Sequence, residues 1–278
     1  MPASTTPTLP VLALDTATED IAAGLHAGGQ SYTVQVRGGA LASATLIPQL
    51  QTLLARAGLA WADLGAIAFG RGPGAFTGLR TACAVAQGLG YGLQRPLLPL
   101  DSLLVVAEDA RVQAGADGVD FEVGVVMDAR MDEVYAARYR WRAGDWQVLQ
   151  PPGLHGLAGL AQAWASLMPP PMPLALAGSA LAAFGTRLVL PEGGPRFERE
   201  HDRAAALLRL ALAAVRGGVG CDPAVALPLY LRDKVAYTSA EREATQAAAA
   251  SAADRTAVPP LPLSARQAQR KPHSVRRP

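Results

Sequence analysis

Two segments of this chain repeat one pattern: an apolar strand ending on aspartate, a three-residue turn, two acids and a second strand. A single offset aligns Asp15 with Asp128, Glu19 with Asp132, Asp20 with Glu133, Ile21 with Val134 and Ala23 with Ala136. Such a hairpin opening each half implies a duplicated α/β architecture of two related lobes, because each sheet must bury its apolar faces under helices. At 278 residues the chain is long enough for two cores. The expected division is a first lobe over 9–107 and a second over 108–237. The closing stretch 203–237 is available to pack back on the first lobe, and a tail follows over 238–278.

Periodicity fills in the elements. Strands are expected at 11–14, 21–26, 32–36, 66–69 and 97–100. Leu46, Leu50, Leu53, Leu54 and Ala57 recur at helical spacing in 43–57, and Gly58 supplies the stop. A second helix is expected over 79–93, and a third from Leu103, capped by Asp101 or Ser102. After a linker at 115–119 come a helix over 157–168, a break at Pro169-Pro170-Pro171 and a strand at 174–177. A helix over 203–216 is ended by Gly217 and Gly218. The stretch 227–231 reads as extended, and Pro223 and Pro228 keep it out of a central strand. Beyond Tyr237 the chain is rich in Ala, Arg, Gln and Pro; a transient helix at 241–253 is expected, and no structure from Val258.

Half of the residues are hydrophobic and 17% are charged, the balance of a globular body. No apolar run approaches the ~20 residues of a membrane span. The first ten residues lack the basic and apolar segments of a signal peptide, so a cytoplasmic address is expected. Cys83 and Cys221 are the only cysteines and form no CxxC pair, which suits a reducing compartment and disfavours a zinc site. The net charge of +2 hides an asymmetry, because 255–278 holds six cations and no acid, leaving 19 cations against 23 acids in 1–254. A tail of that kind is ordinarily a solvated, disordered end; the sharper alternative is contact with RNA phosphates.

The run Gly72-Pro73-Gly74-Ala75-Phe76-Thr77-Gly78-Leu79-Arg80 joins a strand to a helix, where α/β folds place ligand loops. Its glycines allow close backbone approach, and a helix N-terminus suits an anion. The Lys-Ser/Thr of a Walker loop and the GxGxxG spacing are both missing. A tight turn explains the run as well as a phosphate site does; Gly72, Gly74, Thr77 and Gly78 are the residues a nucleotide would touch. The following helix is crowded with Ala82, Cys83, Ala84, Ala86, Gly88, Gly90 and Gly92. Interior glycines each cost a helix roughly 0.5–1 kcal/mol, so close approach of another backbone is required, from the chain's own sheet or from a partner.

At these residues the chain resembles the TsaB family. The resemblance rests on Leu12-Ala-Leu-Asp-Thr-Ala-Thr18, Phe69-Gly-Arg-Gly-Pro-Gly-Ala-Phe-Thr-Gly-Leu-Arg80, Val126-Met-Asp-Ala-Arg-Met-Asp-Glu-Val-Tyr135 and Pro228-Leu-Tyr-Leu-Arg232, and spans about 9–237. It implies the actin-like (sugar kinase, Hsp70) fold of two related lobes. It also implies the role of a non-catalytic partner subunit in the synthesis of threonylcarbamoyladenosine at position 37 of tRNA. Such a subunit pairs with a TsaD-like transferase that holds the metal; a TsaE-like ATPase joins them, and tRNA is met through the complex. No cofactor is then expected on this chain alone, although a nucleotide at a subunit junction is compatible with the resemblance.

Pairing through helices 43–57 and 79–93 makes Leu46, Leu50, Leu53, Arg80, Cys83, Ala84 and Gly88 the expected interface. The same patch would serve a homodimer in isolation as well as it would suit a monomer awaiting its partner. No catalytic or metal-binding residue is expected here: His26, His155, His201 and His273 include no pair close enough to share a helical face. Asp15 is followed by Thr16-Ala17-Thr18 where nucleotide-binding actin-like proteins carry glycine, and Ala42 stands where many family members have histidine. Asp15 and Asp128 are expected to brace their turns. The competing reading is an actin-like small-molecule kinase or ATPase with a degenerate phosphate motif.

Overall fold

Val11–Asp15 is apolar at every position before its aspartate, the signature of a strand covered on both faces. It forms the centre of the first sheet as β1, in a computed structural model that describes residues 9–165 and 174–232. Asp20–Ala27 (β2) and Gln30–Arg37 (β3) continue it as an antiparallel meander. Ala42–Ala57 (α1) crosses to Ala66–Gly72 (β4), and Phe76–Leu93 (α2) to Leu97–Asp101 (β5), both parallel to β1's direction. The order is β3-β2-β1-β4-β5.

Ser102–Gln113 (α3) leads into the second half. There follow Phe121–Asp128 (β6), Glu133–Arg142 (β7), Asp145–Gly156 (β8), Leu157–Ala165 (α4), Ala175–Ala177 (β9), Ala180–Phe184 (α5), Arg196–Phe197 (β10) and Arg203–Arg216 (α6). This sheet runs β10-β9-β6-β7-β8, the first order read from its other edge, with the same antiparallel and parallel partners. The duplication is therefore topological: two actin-like α/β lobes, each opened by a strand that ends on an aspartate. The repeat differs in one detail. Asp15 lies opposite Ala22, whereas Asp128 lies opposite Val134, so the second hairpin is one residue tighter than the sequence offset implies. Its turn carries Arg130, Met131 and Asp132 at positive φ (65°, 59° and 56°).

Alternation along β1 divides the first lobe's core. Leu12 and Leu14 face α1 and α2, meeting Leu46, Leu50, Leu53, Ala82 and Ala86. Val11 and Ala13 face the other way, under Leu207, Leu208 and Ala211 of α6. Each leucine so buried contributes roughly 1.5–3 kcal/mol. The last helix thus roofs the first sheet.

Buried charge joins the halves across α3. Glu108 accepts from Arg111 (2.9 Å to each oxygen), from Arg209 of α6 (2.6 Å) and from Trp146 of β8 (3.1 Å). Burial pushes the Glu108 carboxyl up, but the hydrogen bonds from Arg111 and Arg209 outweigh it and hold the group below the usual carboxylate range. Arg111 in turn stacks 4.5 Å over the Trp141 ring.

Several expectations are revised. Asp101 makes no side-chain cap on α3; it pairs with Arg71 at 2.6 Å instead. The second helix begins at Phe76, three residues earlier than expected. The strand β8 and the short α5 and β10 are additions that periodicity did not give. The expected break at 169–171, the end of the helix read over 157–168, the helix at 241–253 and the basic tail lie outside the described residues.

Candidate functional site

The glycine loop between β4 and α2 closes over the turn that follows β1. Ala75 N–H donates to the Ala17 carbonyl (2.8 Å), and the Thr16 hydroxyl donates to the Gly78 carbonyl (2.6 Å). A methyl on Gly78 would sit 1.8 Å from the Thr16 oxygen, and one on Gly74 would sit 2.4 Å from the Ala17 oxygen. Both positions therefore require glycine, because the turn after β1 occupies the side-chain space. Gly72 holds φ +108° against Leu79, and the Thr77 carbonyl accepts the Thr81 hydroxyl at 3.0 Å. Of the four candidate nucleotide-loop residues, Gly74 and Gly78 pack on the turn after β1 and Gly72 packs on Leu79, whereas Thr77 is exposed.

Beneath the loop, Asp15 is fully buried. One oxygen accepts from Ala17 N–H (2.7 Å), and the other from the Ser102 hydroxyl (2.8 Å) and from Arg203 of α6 (3.3 Å). Arg203 is itself buried and also meets Glu200 at 2.5 Å. Burial would lower the guanidinium, but Asp15 and Glu200 more than reverse that and raise it above its ordinary value. Burial also pushes the Glu200 carboxyl up. Nearby, buried Asp109 accepts the backbone N–H groups of His201 and Asp202 at 2.9 Å and so anchors the start of α6. Asp128 keeps the same local turn, accepting Arg130 N–H at 2.7 Å, but is only partly covered.

The expected interface residues separate into two groups. Leu46, Leu50 and Leu53 are 0% exposed and Cys83 is 4% exposed, so they belong to the first lobe's own core and are withdrawn from any docking surface. The helical repeat that singled them out identifies the covered face without saying what covers it. Arg80, Ala84 and Gly88 lie one turn apart on the outward face of α2 and are exposed. A side chain at Gly88 would meet nothing within 4 Å, whereas one at Gly90 would strike Pro223 and Leu97. The small residues of α2 therefore have two explanations, one internal at Ala82, Ala86 and Gly90, the other open at Ala84 and Gly88. Ile47 of α1 and Tyr91 of α2 add exposed apolar surface at 43% and 58%.

The closing stretch lies back on the first lobe as a strap. Residues 223–232 run along α2: Gln87 donates to the carbonyls of Pro223 and Ala226 (3.2 and 2.9 Å), and the Cys83 thiol donates to Ala226 (3.3 Å). Tyr230 packs on Phe76 (ring centroids 5.3 Å apart) and receives Arg80 Nε at 3.2 Å, while the Arg80 guanidinium covers the Phe76 ring at 3.9 Å. Arg232 then reaches the second-lobe turn, donating to the Ala129 carbonyl and pairing with Glu133 (2.6 Å). Of the described histidines, His26 meets Ser31 at 3.0 Å and His155 has its imidazole pKa lowered by burial. Among the described residues no three His, Cys, Asp or Glu side chains are grouped to hold a metal. No described helix is long and apolar enough to cross a membrane.

Two lobes of one topology, each opened by a strand that ends on an aspartate, with Asp15 buried beneath the glycine loop, define a duplicated actin-like protein. Residues 41–182 match the family model described as TsaD, tRNA N6-adenosine threonylcarbamoyltransferase. A solved structure from Pseudomonas aeruginosa, an uncharacterized protein with similarity to peptidase YEAZ, is 32% identical with a TM-score of 0.70. It matches 81% of this chain over 100% of its own. The tRNA threonylcarbamoyladenosine biosynthesis proteins TsaB of Haemophilus influenzae and Escherichia coli K12 are 36% and 35% identical over 127 and 152 residues. Those matches take in 46% and 52% of this chain and only 52% and 64% of the two proteins. The chain belongs to the TsaB/YeaZ family.

Proposed function

We propose that this chain is a non-catalytic partner subunit in the synthesis of threonylcarbamoyladenosine in tRNA, docking through the outward face of α2 onto a TsaD-like transferase. The observation that carries the reading is the exposed row Arg80, Ala84 and Gly88, with empty space over Gly88 and apolar Ile47 and Tyr91 beside it. The small side chains of Ala84 and Gly88 let a second helix approach closely, and exposed apolar surface marks docking sites. The engagement of Asp15 by Arg203, Ser102 and Ala17 supports leaving the chemistry to the partner. In this reading the subunit acts in the cytoplasm, binds no cofactor alone and shares any nucleotide at the subunit junction. It works beside a TsaE-like ATPase and meets tRNA only through the complex. In isolation the same face supports a homodimer.

The test is reconstitution. The purified chain alone should modify no tRNA, and adding it to TsaD and TsaE should restore modification. Gly88→Leu should leave the far-ultraviolet circular dichroism unchanged, since nothing occupies that space, yet weaken association with TsaD by at least about tenfold, the effect expected from blocking the core of a docking site. Wild-type affinity in a folded Gly88→Leu protein, or no restoration by the folded wild type, refutes the proposal.

A further inference from the structure

A cavity of about 780 Å³ opens at the start of β4 and β5, the end of the first sheet opposite Asp15. Its apolar wall is Leu98, Val215 and Val219, with the exposed Tyr91 ring at the rim and Cys221 beside it. The volume is within the ~300–1,000 Å³ range of small-molecule sites. Arg95 also lines it, as does Asp222, whose carboxylate accepts Ala224 N–H at 2.7 Å. Among the described residues, Arg95 is the half-buried arginine whose side chain has no carboxylate, carbonyl or ring partner; its Nε is buried without any acceptor. The comparable half-buried arginines Arg71, Arg138, Arg140, Arg209 and Arg232 all meet carboxylates.

The surroundings restrict what could complete Arg95. The C-terminal ends of α2 and α6 both border the cavity, and their carbonyls carry partial negative charge. A highly charged anion such as pyrophosphate is therefore disfavoured. A single negative charge placed against the accessible terminal nitrogens of the guanidinium, with an apolar body against the wall, pairs the cation and covers Leu98, Val215 and Val219. We propose that this cavity binds a small monocarboxylate with an aromatic or aliphatic body, its carboxylate held by Arg95. The site shares Tyr91 with the proposed docking face, but Arg80, Ala84 and Gly88 do not line it.

The full chain, labelled with nitrogen-15, is titrated with benzoate, hexanoate and the neutral isostere benzamide at millimolar concentration. Benzoate and hexanoate should shift amides within 90–98 and 215–223, and benzoate should bind at least about tenfold more tightly than benzamide, the value of a charge-assisted pair. Arg95→Gln should remove that preference. Val215→Trp, which fills the wall and leaves Arg95 intact, should abolish binding of all three. Equal binding of benzoate and benzamide, no binding of either acid, or a preference that survives Arg95→Gln overturns the proposal and leaves Arg95 as a counter-charge to the end of α2.

Discussion

Replacing Asp15 by Asn removes one charge from the sealed turn while conserving volume, and it retains the oxygen that accepts Ala17 N–H. Arg203, 2% exposed, then keeps only Glu200 as counter-charge, and its own Nε already lacks a partner. Breaking one member of a buried ion pair costs about 3–5 kcal/mol. Because Glu200 remains at 2.5 Å, the low end applies, about 3 kcal/mol. Arg203→Met alone should cost a similar amount, since it leaves Asp15 and Glu200 facing each other without a cation. The double variant should cost less than the two singles together by about 1–3 kcal/mol, the coupling expected of groups in direct contact. Urea unfolding followed by both circular dichroism and tryptophan fluorescence measures these values, with coincident transitions establishing that the free energies are well defined. A loss below about 1 kcal/mol for Asp15→Asn, or strict additivity, would refute the view that this aspartate is a structural anchor.

Two further outcomes follow from the same geometry. Gly88→Ala should raise the melting temperature by a few degrees, through about 0.5–1 kcal/mol of helix propensity in open space, whereas Gly78→Ala should lower stability by about 3 kcal/mol because its methyl collides with the Thr16 carbonyl. Glu108 titrates below its unfolded value, so its contribution is complete above the unfolded pKa of about 4.3 and is lost as pH falls through the lower, folded one. The urea midpoint of the wild type should therefore fall with acidification below about pH 4.5, and the deficit of Glu108→Gln at neutral pH should narrow over that window; a deficit independent of pH would contradict the assignment.

Much of the architecture is legible in the sequence because it depends on local rules. The helix at 203–216 and the stop at Gly58 follow from periodicity and from glycine's access to positive φ, which Gly58 takes at 67°. The duplicated Asp turn is visible because each aspartate accepts the N–H two residues on, a contact that needs no tertiary partner. What was not legible depends on distant residues. Nothing near Arg203 announces Asp15, which lies 188 positions away, and Leu46 looks the same whether a sheet or a partner covers it. The glycine loop was identified but not its counterpart, since sequence shows that space is needed without showing what enters it. Strand β8 was missed because its exposed and partly covered positions lack clean alternation.

The strap over α2 has a consequence for synthesis. The Cys83 thiol finds its acceptor 143 residues downstream, and the underside of β1 waits for α6. At ribosomal rates of about 5–20 residues per second, the first lobe, ending near 107, emerges roughly 5–22 s before α6 is complete at Arg216. During that interval Val11, Ala13, Ala66 and Ala68 lack the cover of Leu207, Leu208 and Ala211 of α6. The N-terminal half translated alone, without α6, should therefore be recovered insoluble.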